Sequence, residues 1–432
     1  MSDTLDRPLD KAQITAAISS LRDEAITLLG DLVRHPSLLG DERSAQDHMR
    51  GVFEGMGLRV DEFAIDEAKI KGHPGYSPSI VSYDGRHNVV GVHEPKHGTH
   101  GKSLICNGHI DVVPVGAESL WTRGPFEPWI DGDRFYGRGA GDMKAGIVAY
   151  TMALKALQKL GYEPAAKVVL QSVVEEECTG NGALACLVEG YTADAAIIPE
   201  PTPGIMQAQM GVMWLAIEIA GKPVHASVAH TGVGAIDFAT YMFSALKKLE
   251  ARWNAPGHRH ACYHGHEHPV NFNLGKITGG EWASSVPTAA RADIRIGFYP
   301  GRKPEDVRAE IEAVLAEAYR QHPSSNSLRY SVVYEGFQAE GFALDMNMPV
   351  ITTLSDCCRE VLGKVPPYTA FTGTTDARFF NLYGNTPATC YGPHAENIHG
   401  IDEWVSIDSM MQVATVLALF MVRWCGVNRL DD

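Results

Sequence analysis

Long apolar runs are missing from this chain of 432 residues. None approaches the roughly 20 residues that a membrane helix needs. The richest segment, Met410 to Trp424, is too short to span a bilayer and reads as a buried helix. An excess of positive charge is missing too. Lys and Arg number 37 against 52 Asp and Glu, a net charge of −15. Nucleic-acid binding needs a basic footprint, so no nucleic-acid partner is expected, and no membrane partner either. The start, Met1 to Asp10, lacks the basic residues and apolar core of a secretion signal. Cys-x-x-Cys pairs are absent, which argues against a thiolate zinc site. The eight cysteines are scattered, mostly in apolar runs, as Cys106, Cys186, Cys390 and Cys425 are. Such usage fits reduced core residues and predicts a cytoplasmic setting. Cys178 reads as a small packed residue, because no His lies near it in sequence. What remains is 45% hydrophobic and 21% charged, the balance of a globular protein. The length exceeds what one core usually holds and predicts two domains.

Periodicity places the elements. Residues 11 to 57 read as helices with an apolar face. From Asn88 the pattern becomes strand then helix: strands at Val89 to Val92, Leu104 to Cys106, Val168 to Val174 and Ala195 to Ile198, helices at Lys144 to Leu160 and Leu184 to Val188. This alternation predicts an α/β sheet with parallel strands. Near Gln207 the character changes. Strands at Val212 to Ile219, Val270 to Ile277, Ala289 to Ile296 and Leu328 to Tyr334 enclose helices at Gly234 to Leu249 and Pro304 to Tyr319. The order βαββαβ is that of a ferredoxin-like unit. The α/β pattern resumes from Pro349. Residues 1–208 and 337–432 thus read as the two parts of one domain, and 209–336 as an insertion. Between them, His258, His260, His264, His266 and His268 fall in a Gly- and Pro-flanked segment, read as a solvated loop rather than a metal site.

Chemistry concentrates at the strand ends. His109, the run Glu175-Glu176-Glu177 and Glu200 each follow a predicted strand. In open α/β sheets, ligands bind beyond the carboxyl ends of the strands. Three segments would therefore converge on one sheet edge. Imidazole and carboxylate donors suit zinc, manganese or cobalt; a calcium site would use more oxygens and no His. Asp111, two residues after His109, is placed to accept the other ring N–H and so fix the tautomer. Three adjacent glutamates would repel one another without cations or protons between them.

The run Asn107-Gly108-His109-Ile110-Asp111 resembles the metal-binding motif of the metallohydrolases that include acetylornithine deacetylase, succinyl-diaminopimelate desuccinylase, aminoacylase and glutamate carboxypeptidase. Gly139-Ala140-Gly141-Asp142-Met143-Lys144, the glutamate run with Gly180 and Gly182, Pro199-Glu200-Pro201-Thr202 and His399 to Glu403 extend the match. So do Pro223-Val224-His225-Ala226-Ser227, Asp293-Ile294-Arg295 and Thr372-Gly373-Thr374-Thr375-Asp376-Ala377-Arg378. The resemblance implies a zinc-peptidase-like three-layer catalytic domain with an inserted ferredoxin-like lid and dimerisation domain. It implies two divalent metal ions, zinc with cobalt or manganese as substitutes. Asp142 would bridge them, His109 and Glu200 would complete one ligand set, and Glu177 and His399 the other. A cis peptide after Asp142 is implied as well. Alignment on Gly180 and Gly182 makes Glu176 the general base; a slip of one residue would make it Glu175. Alternation along an extended chain would separate Glu176 from Glu177, so a local rotation is needed. His225 would serve the active site of the partner subunit in a homodimer.

Arg295, Gly373, Thr374 and Thr375 are the candidates for binding a substrate carboxylate, Arg being suited to bidentate contact. A surface salt bridge is the alternative for Arg295, and an ion pair with Asp376 is one for Arg378. The long loop Lys71 to Arg86 either shapes the acyl pocket or is a plain insertion. The function expected is a metal-dependent amidohydrolase that removes an acyl group from an N-acyl amino acid or related amide. A dipeptidase or carboxypeptidase, a degradative amide or amine hydrolase, and a non-catalytic metal-binding paralogue are the alternatives.

Overall fold

Three strands with their carboxyl ends at one edge make the frame on which the cluster hangs. In the computed structural model, which describes residues 9–430 except residue 203, the central sheet has six strands. Their order is Arg59–Ala64, His87–His93, Val168–Val173, Leu104–His109, Ala195–Ile198 and Ala388–Cys390. The last four are mutually parallel. His87–His93 runs antiparallel to both neighbours, so the sheet is mixed rather than parallel throughout. The cause is local. A parallel crossover needs a dozen or more residues, usually a helix. The connection 94–103 carries no helix, so the chain reverses between His93 and Leu104.

Both faces of the sheet are covered. Along Leu104–His109, Leu104 and Cys106 enter one core while Ile105 enters the other, the two-residue alternation of a strand. Helices Ala145–Lys159 and Ile407–Cys425 pack together on the first face. The second face meets Ala377 and Phe380 of helix Ala377–Leu382. Ile407–Cys425 corrects the reading of Met410 to Trp424 as too short. Its 19 residues are long and apolar enough to cross a membrane, yet 72% of its most apolar window is buried inside the protein. Polar flanking residues had shortened its apparent length.

The second sheet has the strand order Phe272–Gly279, Ala289–Phe298, Gly211–Ala220 and Arg329–Ala339, all neighbours antiparallel. Helices Ala235–Asn254 and Pro304–Gln321 complete the βαββαβ order. The last strand runs on to Ala339, past residue 336. Ala292, Ile294 and Ile296 pack under the helices, whereas Arg291, Asp293 and Arg295 alternate onto the opposite face. Among the described residues that face carries no helix, and it roofs a cavity of about 950 Å³ above the central sheet's edge. The reading of Met1 to Asp10 falls largely outside the described residues. Among those described, the histidines of 258–268 form no ligand cluster. Arg259 ties their loop down by donating to the carbonyls of Asn254 and His266.

Candidate metal centre

His109 ends its strand with its ring buried. Its Nδ1 lies 2.9 Å from the Asp111 carbonyl oxygen, whereas the Asp111 carboxylate is 3.7 Å away. The expected orienting contact is therefore made by the backbone of Asp111, not by its side chain. The carboxylate has another task. Its two oxygens accept the N–H groups of Glu176 (3.2 Å) and Glu177 (3.1 Å). The side chain reaches the end of the neighbouring strand, which a spacing of two residues does not reveal.

That clamp belongs to the turn that gathers the glutamates. Glu175 has φ +71°, a left-handed conformation uncommon for residues other than glycine. Its carbonyl then accepts N–H groups of Thr179 and Gly180. The turn supplies the rotation that an extended chain lacks, and Glu176 and Glu177 both face the cavity. Glu175 faces away. It is fully buried against Arg86, and its other oxygen accepts from Tyr83 (2.8 Å) and Thr179 (2.6 Å).

Asp142 sits in a wide π-type turn, Ala140–Lys144, ahead of helix Ala145–Lys159, and its bond to Met143 is cis. Gly146 lets that helix approach the end of strand Ala195–Ile198; a Cβ there would come within 2.2 Å of the Pro199 carbonyl. Glu403 accepts the N–H groups of Gly141 (2.9 Å) and Asp142 (3.0 Å) and pairs with buried Arg138. This support was not legible in the sequence, because Glu403 and Arg138 lie far apart along it.

Asp142 lies between two imidazoles. Its Oδ1 is 3.2 Å from His109 Nε2, and its Oδ2 is 3.3 Å from His399 Nε2. Glu200 and Glu176 stand 3.8 and 3.9 Å from His109 Nε2, and Glu177 stands 3.2 Å from His399 Nε2. The ligand atoms of His109, Glu176 and Glu200, and those of His109, Asp142 and Glu177, are each close enough to share one ion. One oxygen each of Glu176 and Glu177 is buried with no hydrogen-bond partner. A buried, unsatisfied carboxylate oxygen is costly, and a cation is the partner its chemistry suits.

The charges respond to this crowding. Burial lifts the Glu176 and Glu200 carboxyls well above the usual range, with His109 opposing it. For His109, burial opposes the charged form, but Glu200 and Asp142 outweigh it and raise the pKa well above normal. The same contest, won by Glu177 and Asp142, raises His399 to about 11. Burial raises Asp111 to about 7 against the pull of His109. Burial also works on Asp142, yet its two His partners hold it well below the ordinary carboxylate value.

Arg295, Gly373, Thr374 and Thr375 line the same cavity. Arg295 makes no salt bridge among the described residues; it donates to the Thr372 carbonyl (3.0 Å). Thr375 gives its hydroxyl to Gln209 (2.6 Å) and is buried, so its part is to hold the loop. Arg378 forms no ion pair with Asp376. It donates to the carbonyls of Thr179 (2.7 Å) and Thr375 (3.0 Å) instead. Ile80 brings the Lys71 to Arg86 loop into the cavity wall. His225 is exposed, hydrogen-bonded to Ser227, and does not line this cavity.

A family model described as peptidase family M20/M25/M40 matches residues 105–423. The chain is 29% identical over 431 residues to the N-formyl-4-amino-5-aminomethyl-2-methylpyrimidine deformylase of Bacillus subtilis, covering 94% of this chain and 95% of that one. It is 27% identical over 419 residues to the succinyl-diaminopimelate desuccinylase of Caulobacter vibrioides, covering 94% and 97%. The fold is similar to that of the di-peptidase Dug1p from Saccharomyces cerevisiae, with a TM-score of 0.79 at 16% identity over 96% and 98% of the two chains. The family match takes in every segment of the cluster, so the protein belongs to peptidase family M20/M25/M40 and is a metal-dependent hydrolase of C–N bonds.

Proposed function

We propose that this protein removes the acyl group from an N-acyl amino acid or a closely related amide. The observation that carries the reading is a shared cavity: the carboxylate–imidazole cluster and Arg295, a guanidinium with no acidic partner among the described residues, face the same space. An amide would lie at the cluster while its carboxylate meets Arg295. The deformylase and desuccinylase names of the two relatives support amide cleavage of this kind.

Asp142 would be shared between two divalent ions, zinc with cobalt or manganese as substitutes. His109 and Glu200 would hold one, and Glu177 and His399 the other. Bound there, such ions polarise a carbonyl and acidify water. The chain's own residues do the rest. Glu176 takes the proton of the attacking water and delivers it to the departing nitrogen. Asp111 holds the Glu176–Glu177 turn through its two N–H contacts. The Gly373–Thr375 loop, fastened by Gln209, walls the substrate.

The test is a panel of N-acetyl, N-succinyl and N-formyl amino acids beside dipeptides, assayed with metal-loaded protein by amine release. Acyl amino acids with a free carboxylate are expected to be cleaved fastest. Cleavage of dipeptides alone would overturn the reading in favour of a peptidase.

Assembly as a homodimer in the cytoplasm belongs to the same proposal. Eight free cysteines support the setting. The exposure of His225, and its absence from the lining of its own cavity, support donation to a partner's site. Mixing His225→Ala protein with Glu176→Gln protein is then expected to restore part of the activity that neither has alone, through heterodimers. Mixtures no more active than the separate variants would contradict a shared site.

A further inference from the structure

The open face of the second sheet carries an ordered row of side chains. Strand pairing sets Asn273 opposite Arg295, and Arg295 opposite Trp214. Directly opposed residues project to the same face. The neighbouring strand adds Phe337, whose ring meets Trp214 edge-on at 5.3 Å and 90°. All four line the cavity. Across the row, an amide and a guanidinium give way to an aromatic corner. Arg295 and Trp214 sit on adjacent strands in direct register, so the cation and the corner belong to one continuous wall of the cavity.

The corner is built rather than incidental. Gly336 has φ +66°, and a Cβ there would approach the Trp214 indole to 2.5 Å. The indole therefore rests on bare backbone. Gln338 donates to the Trp214 carbonyl (3.0 Å). The loop before the second central strand docks on the same segment: Gly336 donates to the Pro78 carbonyl (2.9 Å) and Gln338 to the Ser77 hydroxyl (3.0 Å). That docking brings Ile80, 40% exposed, to the cavity beside the corner.

Resting on the acyl-amide reading above, we infer that the preferred substrate is the N-acyl derivative of an aromatic amino acid, with its carboxylate on Arg295 and its ring against Trp214, Phe337 and Ile80. Burying a ring in such a corner is worth roughly 10- to 100-fold in affinity over a methyl group, and ring–ring contact adds to that.

Calorimetric titration of zinc-loaded Glu176→Gln protein, whose turnover is expected to be about two to four orders of magnitude below wild type, tests this. N-acetylphenylalanine is expected to bind about 10- to 100-fold tighter than N-acetylalanine, with N-acetylleucine between. Trp214→Ala in that background should remove most of the ratio, and Trp214→Phe should keep most of it. Equal affinities for the three ligands would overturn the inference without recourse to any Trp214 variant. So would a ratio that survives Trp214→Ala. Turnover of the wild-type protein separates the two claims: an aromatic binding preference with no acyl amide cleaved would sink the function and leave the ligand preference standing.

Discussion

Glu176→Gln is expected to lower turnover by about two to four orders of magnitude, the usual contribution of a positioned general base. The substitution keeps the size and one carbonyl oxygen but removes the site that takes up a proton. Its surroundings support the proposed role. The side chain faces the cavity, its backbone N–H is fixed by Asp111, and one of its oxygens has no protein partner. Melting behaviour should stay close to wild type, because no hydrogen bond of the protein is lost at that oxygen. Steady-state rates on the best substrate of the acyl panel check the result. Activity within about tenfold of wild type would remove Glu176 from the proton transfer.

Glu175 should behave in the opposite way. Its carboxylate is the buried partner of Arg86, with Tyr83 and Thr179 also donating to it. Glu175→Ala strips these donors and leaves Arg86 with Glu42 alone. Breaking a buried, hydrogen-bonded ion pair costs about 3 to 5 kcal/mol, and the retained Glu42 contact puts the expectation near the lower end. Calorimetric melting should show a marked drop, with metal binding and chemistry impaired only as far as the turn loosens. Glu175→Gln, which keeps most of the hydrogen bonds, should retain much of the activity. A Glu175→Gln protein that melts normally but does not turn over would shift the base by one residue.

These two variants mark the limit of what the chain spelled out. The residue types and their places after strands were enough to bring His109, Glu176, Glu177 and Glu200 to one edge. The βαββαβ order of the insertion was equally legible, since its apolar alternation is strong. The division of labour within the glutamate run was not. It depends on the left-handed turn at Glu175 and on a partner, Arg86, distant in sequence. The role of Asp111 is hidden for a similar reason: its spacing from His109 suits a ring contact by the carboxylate, but its carbonyl makes that contact. Trp214 gives no signal of its own, because a tryptophan in a strand reads as core and only its register with Arg295 and its contact with Phe337 place it on the cavity face. The antiparallel strand His87–His93 followed from a connection too short for a crossover, a length that local periodicity does not weigh.

The central claim is that the acidic cluster divides into residues that hold two ions and one that handles a proton. Counting bound metal in the wild-type and Glu176→Gln proteins, by elemental analysis after saturation with zinc and removal of the excess, tests it most directly. Two zinc ions per chain in both proteins, with turnover lost only in the variant, is the predicted result. One ion or none in the wild type, or loss of an ion on changing Glu176 alone, would contradict it.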